Sequence, residues 1–215
     1  MFHITGNTET GPYEITKNAV LMQHGMGGSG MSWNSEGIIS HDEPFAYKLA
    51  RMGFDVYFAN NRGTRYSQEH TSLTIDDQEF WAMDWSIYGK IDFPAQVTEI
   101  QKRNGGRKVA MVGHSQGTTQ TFAGFAEITQ WYDDNISMAA LMGPCATPNT
   151  KYFGDLYTEE NWNFLEENGI WVIDGPNWER DRAKIMADGP QALKDQIPSY
   201  EHLENNPIQA VAAYA

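Results

Sequence analysis

The sequence predicts an α/β fold built on a mostly parallel sheet with helices on both faces. Three observations carry this. Strand-like and helix-like segments alternate along the first two thirds of the chain, the strand-like runs are continuously apolar, and glycines punctuate the junctions. Ala19 to Gln23 (AVLMQ) is a short apolar run that stops at His24-Gly25 and feeds the glycine-rich stretch GMGGSG. In DEPFAYKLARMG, Phe45, Leu49 and Met52 recur at helical spacing, with Asp42 as the cap and Gly53 as the stop. FDVYFAN then alternates as a strand and ends at Asn61-Arg62-Gly63.

The unit repeats. DFPAQVTEIQKRNGG offers Asp92 as cap, Pro94 in the first turn, Val97 and Ile100 on one face, and a Gly-Gly terminator. KVAMVGH reads as a fully buried strand. TTQTFAGFAEITQWY reads as a helix with Phe122, Phe125 and Ile128 on one side, and ISMAALMGP as another apolar strand. From Pro148 the texture changes to acidic, aromatic and helix-like segments with one strand-like run, GIWVID, which predicts a second region packed over the sheet.

The 215 residues suffice for one domain with a sizeable core, or for one domain and part of another. Fifteen Lys and Arg against 28 Asp and Glu give a formal charge of −13, the wrong sign for nucleic-acid phosphates or an anionic membrane surface. The single cysteine, Cys145, cannot form an internal disulfide, and no Cys/His cluster has zinc spacing, so neither a metal nor a cofactor is expected. The first 18 residues lack the basic start, apolar run and cleavage site of a signal peptide. No stretch approaches the length of a membrane span. The sequence does not indicate an oligomeric state.

Gly113-His114-Ser115-Gln116-Gly117 fits G-x-S-x-G, the tight strand-to-helix turn that lifts a serine hydroxyl above a sheet, and it stands between a predicted strand and a predicted helix. A side chain at either glycine would collide with the neighbouring strand or helix. Ser115 is therefore the candidate nucleophile. His24-Gly25-Met26-Gly27-Gly28-Ser29 follows the earlier strand at the place where such sites draw one oxyanion-hole amide, and the residue after the nucleophile supplies the second. This assigns the roles to the backbone N–H groups of Met26 and Gln116. A phosphate loop is the rival reading of GMGGSG, but the G-K-[ST] ending is missing. His114 adjoins the serine and His24 sits at a strand end, so both are expected to be structural rather than general bases. The aromatic tract QEFWAMDWSIYGKIDFPA, with Phe80, Trp81, Trp85, Tyr88 and Phe93, is read as core packing ahead of an acyl pocket.

The blocks HGMGGSGMSW, FAYKLARMGFDVYFANNRGTRYSQEHTSL, EFWAMDWSIYGKIDFPA and KVAMVGHSQGTTQTFAGFA, in this order and spacing, resemble the acid lipase family of gastric, lingual and lysosomal enzymes. The resemblance spans roughly residues 19–148 and continues more weakly in NNPIQAVAAYA. It implies an α/β-hydrolase fold, with a core over residues 1–147 and a partial helical cap over 148–215. It also implies hydrolysis of neutral lipid esters such as acylglycerols and steryl esters through Ser115, with Met26 and Gln116 as oxyanion donors. Members of that family are secreted or lysosomal. Asn61 and Thr64 depart from the family's usual serine and asparagine, and an effect on loop packing rather than chemistry is expected.

A site of this kind also needs an acid and a histidine base, in the chain order Ser, Asp or Glu, His. In the resembled family both lie beyond the cap, so the sequence is expected to be an incomplete copy, truncated at both ends, with negligible lipase activity by itself. Asp174 and His202 form a rival pair in the correct order, although no apolar run between them can serve as the final strand. The alternative from another class is a catalytically silent module that keeps the pocket and binds lipid or a partner.

Overall fold

A computed structural model describes residues 1–34, 43–146, 158–170 and 178–195. The described residues fall into two compact units. One comprises Met1–Gln68 and Met83–Ala146; the other joins Glu69–Ala82 to the described stretches after residue 147.

The first unit is built on a five-stranded sheet. Its strands are β1 (Phe2–His3), β4 (Ala19–Gln23), β5 (Asp55–Phe58), β6 (Val109–His114) and β7 (Ile136–Met142), in the order β1-β5-β4-β6-β7. A two-stranded ribbon, β2 (Gly6–Asn7) with β3 (Gly11–Pro12), stands beside it in sequence. β5, β4, β6 and β7 pair in parallel, while β1 pairs antiparallel to β5. The N-terminal strands were not expected from the sequence, because two-residue strands carry no periodicity. β1 is held instead by side chains: His3 Nε2 lies 2.6 Å from Asp55 Oδ1, its ring stacks on Tyr57, and the Tyr57 hydroxyl donates to Asp55.

All residues of β4 and β5 are buried, as expected of parallel strands covered on both faces. β5 therefore does not alternate between buried and exposed positions, contrary to the sequence expectation. Successive residues serve opposite cores. Leu21, Tyr57 and Met111 join Phe93, Val97, Ile100 and Tyr132 on one face, while Val20, Met22, Val56, Phe58 and Val112 join Trp33, Ala46 and Ala50 on the other. Helix α1 (Phe45–Arg51) contributes Ala46 and Ala50 to the second core, with Phe45 and Leu49 partly buried. Met52 is 56% exposed rather than on the buried face, and the helix starts from Pro44; Asp42 lies outside the described residues.

A short helix α2 (Trp85–Ile87), capped by the Asp84 carboxylate, runs through a π turn at Tyr88–Asp92 into α3 (Phe93–Asn104), which ends on left-handed Gly105. Asp92 is thus already helical and makes no cap. Its carboxylate accepts from the Arg62 backbone N–H at 3.0 Å and from Arg62 Nε at 2.8 Å. The π turn brings Gly89 so close to the next helix, α4 (Gln116–Glu127), that a Cβ there would lie 2.2 Å from the Gln120 carbonyl oxygen. Tyr132, on α5 (Thr129–Asn135), locks this contact by donating to the Gly89 carbonyl at 2.7 Å and stacking on Phe93.

The expected aromatic face of α4 is corrected. Its buried residues are Gly117, Thr118, Gln120, Thr121 and Gly124, with Phe122 and Phe125 only half-buried, because the end of β4 at Gly117 and the π turn and Tyr132 at Gly124 approach the helix too closely for aromatic rings. Ile128 interrupts the helix and separates α4 from α5. The aromatic tract is likewise not one cluster. Phe93 is core, Trp85 is 41% exposed, and Phe80 and Trp81 pack on each other in the second unit.

The second unit contains that Phe80–Trp81 pair and helices α6 (Glu159–Glu167) and α7 (Trp178–Asp188). The Thr158 side chain caps α6, and Ile170, Ile185 and Leu193 form a small core with Phe164 and Leu165. Of GIWVID, residues 171–174 lie outside the described residues. No described helix is long and apolar enough to cross a membrane.

Candidate active site

The strand order places a switch point at β4. The chain leaves β4 for β5 on one side, then returns through α3 to β6 on the other. Crevices for ligands open at such points, beyond the carboxyl ends of the strands. Here the register sets Gln23 opposite Gly113, so His24-Gly25-Met26 emerges beside Ser115.

Ser115 joins β6 to α4 with φ 50° and ψ −118°, and it is the only non-glycine residue with positive φ among those described. Such geometry costs on the order of 1–3 kcal/mol and persists only when its surroundings impose it. The surroundings here are specific. The Ser115 N–H donates to the Met142 carbonyl of β7 at 3.0 Å, and the Ser115 carbonyl accepts from the Thr118 N–H and hydroxyl at 2.8 and 2.6 Å. The loop after β7 is tied to the same helix, with the Cys145 N–H donating to Thr118 Oγ1 and the Thr119 hydroxyl donating to the Cys145 carbonyl.

The bracketing glycines permit the close approach. A Cβ on Gly117 would lie 2.7 Å from the Gln23 carbonyl oxygen and 2.8 Å from that of His24, and one on Gly113 would lie 3.1 Å from the Gly117 carbonyl oxygen. Gly25 faces the serine, with its Cβ position 3.2 Å from Ser115 Cβ. Met26 follows Gly25 directly and Gln116 follows Ser115, so the structure brings Ser115, Met26 and Gln116 to one place. Among the described residues, no acceptor takes the backbone N–H of Met26 or Gln116. Asp174 and His202 lie outside the described residues.

The two histidines near the serine differ. His24 is buried with both ring nitrogens engaged: Nδ1–H donates to the Gly25 carbonyl at 2.7 Å, and Nε2 accepts from the Asn61 N–H at 3.3 Å. Burial lowers its pKa to about 4, opposed by the Gly25 hydrogen bond. It is therefore a neutral structural ring at pH 7. His114 is half-buried with its ring edge-on to Trp33, and burial lowers its pKa too. No described histidine hydrogen-bonds the Ser115 hydroxyl. Among the described residues no group of three or more His, Cys, Asp or Glu is placed to hold a metal ion.

The His24 environment gives a pH prediction. Between pH 6.5 and about 4 the unfolded chain takes up a proton at His24 that the native ring refuses, so the contribution of His24 to native stability falls as pH falls through this window. The size is about 3 kcal/mol, from the displacement of the pKa. Urea unfolding across this range should show a shallower pH dependence in His24→Asn. An unchanged dependence would refute the assignment.

The sequence did not single out a buried polar group behind the site, made by Gln23, Asn61 and Gln120. Gln23, at the end of an apolar run, offered a partial signal; Asn61, in the polar loop after β5, and Gln120, in a helix with other polar residues, offered none.

A serine in strained backbone at the carboxyl end of a central parallel strand, facing a glycine loop across a switch point, defines the class. The chain belongs to the alpha/beta hydrolase fold family, which it matches over residues 18–179. Within it, the chain is similar to lipase member M of Mus musculus, 35% identical over 145 residues that make up 65% of this chain and 33% of the relative. It is also similar to human lysosomal acid lipase/cholesteryl ester hydrolase, 34% identical over 61% of this chain and 32% of that one. For gastric triacylglycerol lipase of Bos taurus the figures are 34% identity, 65% and 34%. The chain spans about a third of the length of these relatives.

Proposed function

We propose that this chain carries the nucleophile and oxyanion hole of a serine ester hydrolase acting on neutral lipid esters. The observation that carries the reading is Ser115, held in strained geometry at the switch point beside two backbone N–H groups with no described acceptor. Ser115 Oγ attacks the ester carbonyl carbon while a histidine accepts its proton. The carbonyl oxygen becomes an anion that the Met26 and Gln116 N–H groups receive, where each donor is typically worth about 3 kcal/mol of barrier. The alcohol leaves with the proton, and water then releases the fatty acid from the acyl-serine. The base and its orienting acid are assigned to residues outside the described stretches; within this sequence, His202 and Asp174 have the required order, and giving them these roles replaces the negligible activity expected from the sequence with measurable turnover. The neutral-lipid substrate rests on similarity to relatives named for triacylglycerols and cholesteryl esters. The second unit is assigned as part of a cap.

The test is fatty-acid release from emulsified triolein and cholesteryl oleate. Release that exceeds the rate with heat-denatured protein is expected for at least one of them. Saturable binding of either lipid with no release would replace this reading with the silent binding module.

A further inference from the structure

Beyond Ala59, whose N–H donates to the Met22 carbonyl, three consecutive backbone N–H groups after β5 each donate to a side chain of a different segment. Asn60 donates to Gln96 Oε1 of α3 at 3.1 Å, Asn61 to His24 Nε2 after β4 at 3.3 Å, and Arg62 to Asp92 Oδ2 of the π turn at 3.0 Å. The loop is thereby fixed in space, and from it the Asn61 side chain reaches in two directions. Its Oδ1 accepts from Gln23 Nε2 at 3.1 Å and from Gln120 Nε2 at 3.3 Å, and its Nδ2 donates to Gln120 Oε1 at 2.7 Å. Gln23, Asn61 and Gln120 are at most 3% exposed, so water does not compete for these bonds.

The two arms end where the site is made. Gln23 lies three residues before Met26 on the strand that leads to it, and Gln120 lies one helical turn beyond Gln116 on α4. We infer that Asn61 is a positioning residue: its carboxamide clamps the Met26 loop to the nucleophile helix and so fixes the spacing of the two oxyanion donors. The inference rests on the proposed role of those donors. Without the clamp, the β4–β6 ladder still sets Gln23 opposite Gly113, but the side-chain bonds from the strand end to the body of α4 are lost and the Gly117 approach, which limits closeness and not separation, is left between them.

The experiment is 15N relaxation on the full chain and on Asn61→Leu, which keeps the volume and removes both arms, with ester kinetics on the same preparations. The order parameters of the Met26 and Gln116 N–H groups should fall from about 0.85 towards about 0.6, while those of Met111 and Val112 in β6 stay unchanged. For p-nitrophenyl butyrate, kcat should fall about tenfold with KM unchanged. This corresponds to losing net hydrogen bonding of about 1 kcal/mol or slightly more. If Asn61→Leu does not fold, Gln120→Met removes the helix arm alone and should loosen Gln116. Rigid Met26 and Gln116 amides in a folded variant overturn the clamp, as does an unchanged kcat beside loosened amides. A wild-type chain without Ser115-dependent turnover contradicts the hydrolase reading instead, and the relaxation data then still decide the clamp.

Discussion

Ser115→Ala is expected to lower ester hydrolysis by at least about a thousandfold, measured as kcat/KM on p-nitrophenyl butyrate. The substitution removes the hydroxyl proposed to attack the ester and nothing else of structural weight: the hydrogen bonds that hold residue 115 run through its backbone N–H and carbonyl. Unfolding by urea should accordingly change little. His202→Ala separates the sources of the base. A loss equal to that of Ser115→Ala would make His202 the base, because groups acting as a unit do not add. A retained rate would place the base elsewhere. Equal rates for wild type and Ser115→Ala would mean that the serine takes no part in turnover.

The second large effect is expected at Gly117, where two opposed terms can be weighed. Alanine in a helix is ordinarily favoured over glycine by about 1 kcal/mol. Here the added Cβ would lie 2.7 and 2.8 Å from two main-chain oxygens, at Gln23 and His24, which no side-chain rotation can clear. Overpacking of this kind costs about 1–3 kcal/mol, so the collision wins and Gly117→Ala should be destabilised in urea. Relief requires α4 to move away from the Met26 loop, and a shift of about 1 Å at a reacting centre can cost on the order of a hundredfold in rate. A variant as stable and as active as wild type would show that the elbow does not depend on this contact.

The sequence was most informative where burial is uniform. β4, β6 and the left-handed stop at Gly105 stand where apolar runs and glycine placed them, because parallel strands covered on both faces need no periodic signal to be recognised. Side-chain placement was harder to read. Phe122 and Phe125 carry the apolar pattern of α4, yet its buried positions include Gly117 against the end of β4, Thr121 against Met111 of β6 and Gly124 against Tyr132 of α5, since close approach of neighbouring elements rather than hydrophobicity selects them. Asp92 has the residue type of a cap but is used as a counter-ion for Arg62, a choice made by a residue 30 positions away. At the site, the glycines around Ser115 and after His24 were legible because tight turns demand them. The Gln23–Asn61–Gln120 group was not, because buried amides are specified by partners that only the folded sheet brings together. Asn61, expected to matter for loop packing alone, stands at the centre of that group.

Ser115 is expected to become acylated during turnover. The most direct measurement is tandem mass spectrometry of the full chain, quenched in acid after brief exposure to p-nitrophenyl butyrate. A butyryl group on Ser115, absent from heat-denatured protein, is the predicted result. Butyrylation confined to lysines, or unchanged labelling of residue 115 after unfolding, would contradict it.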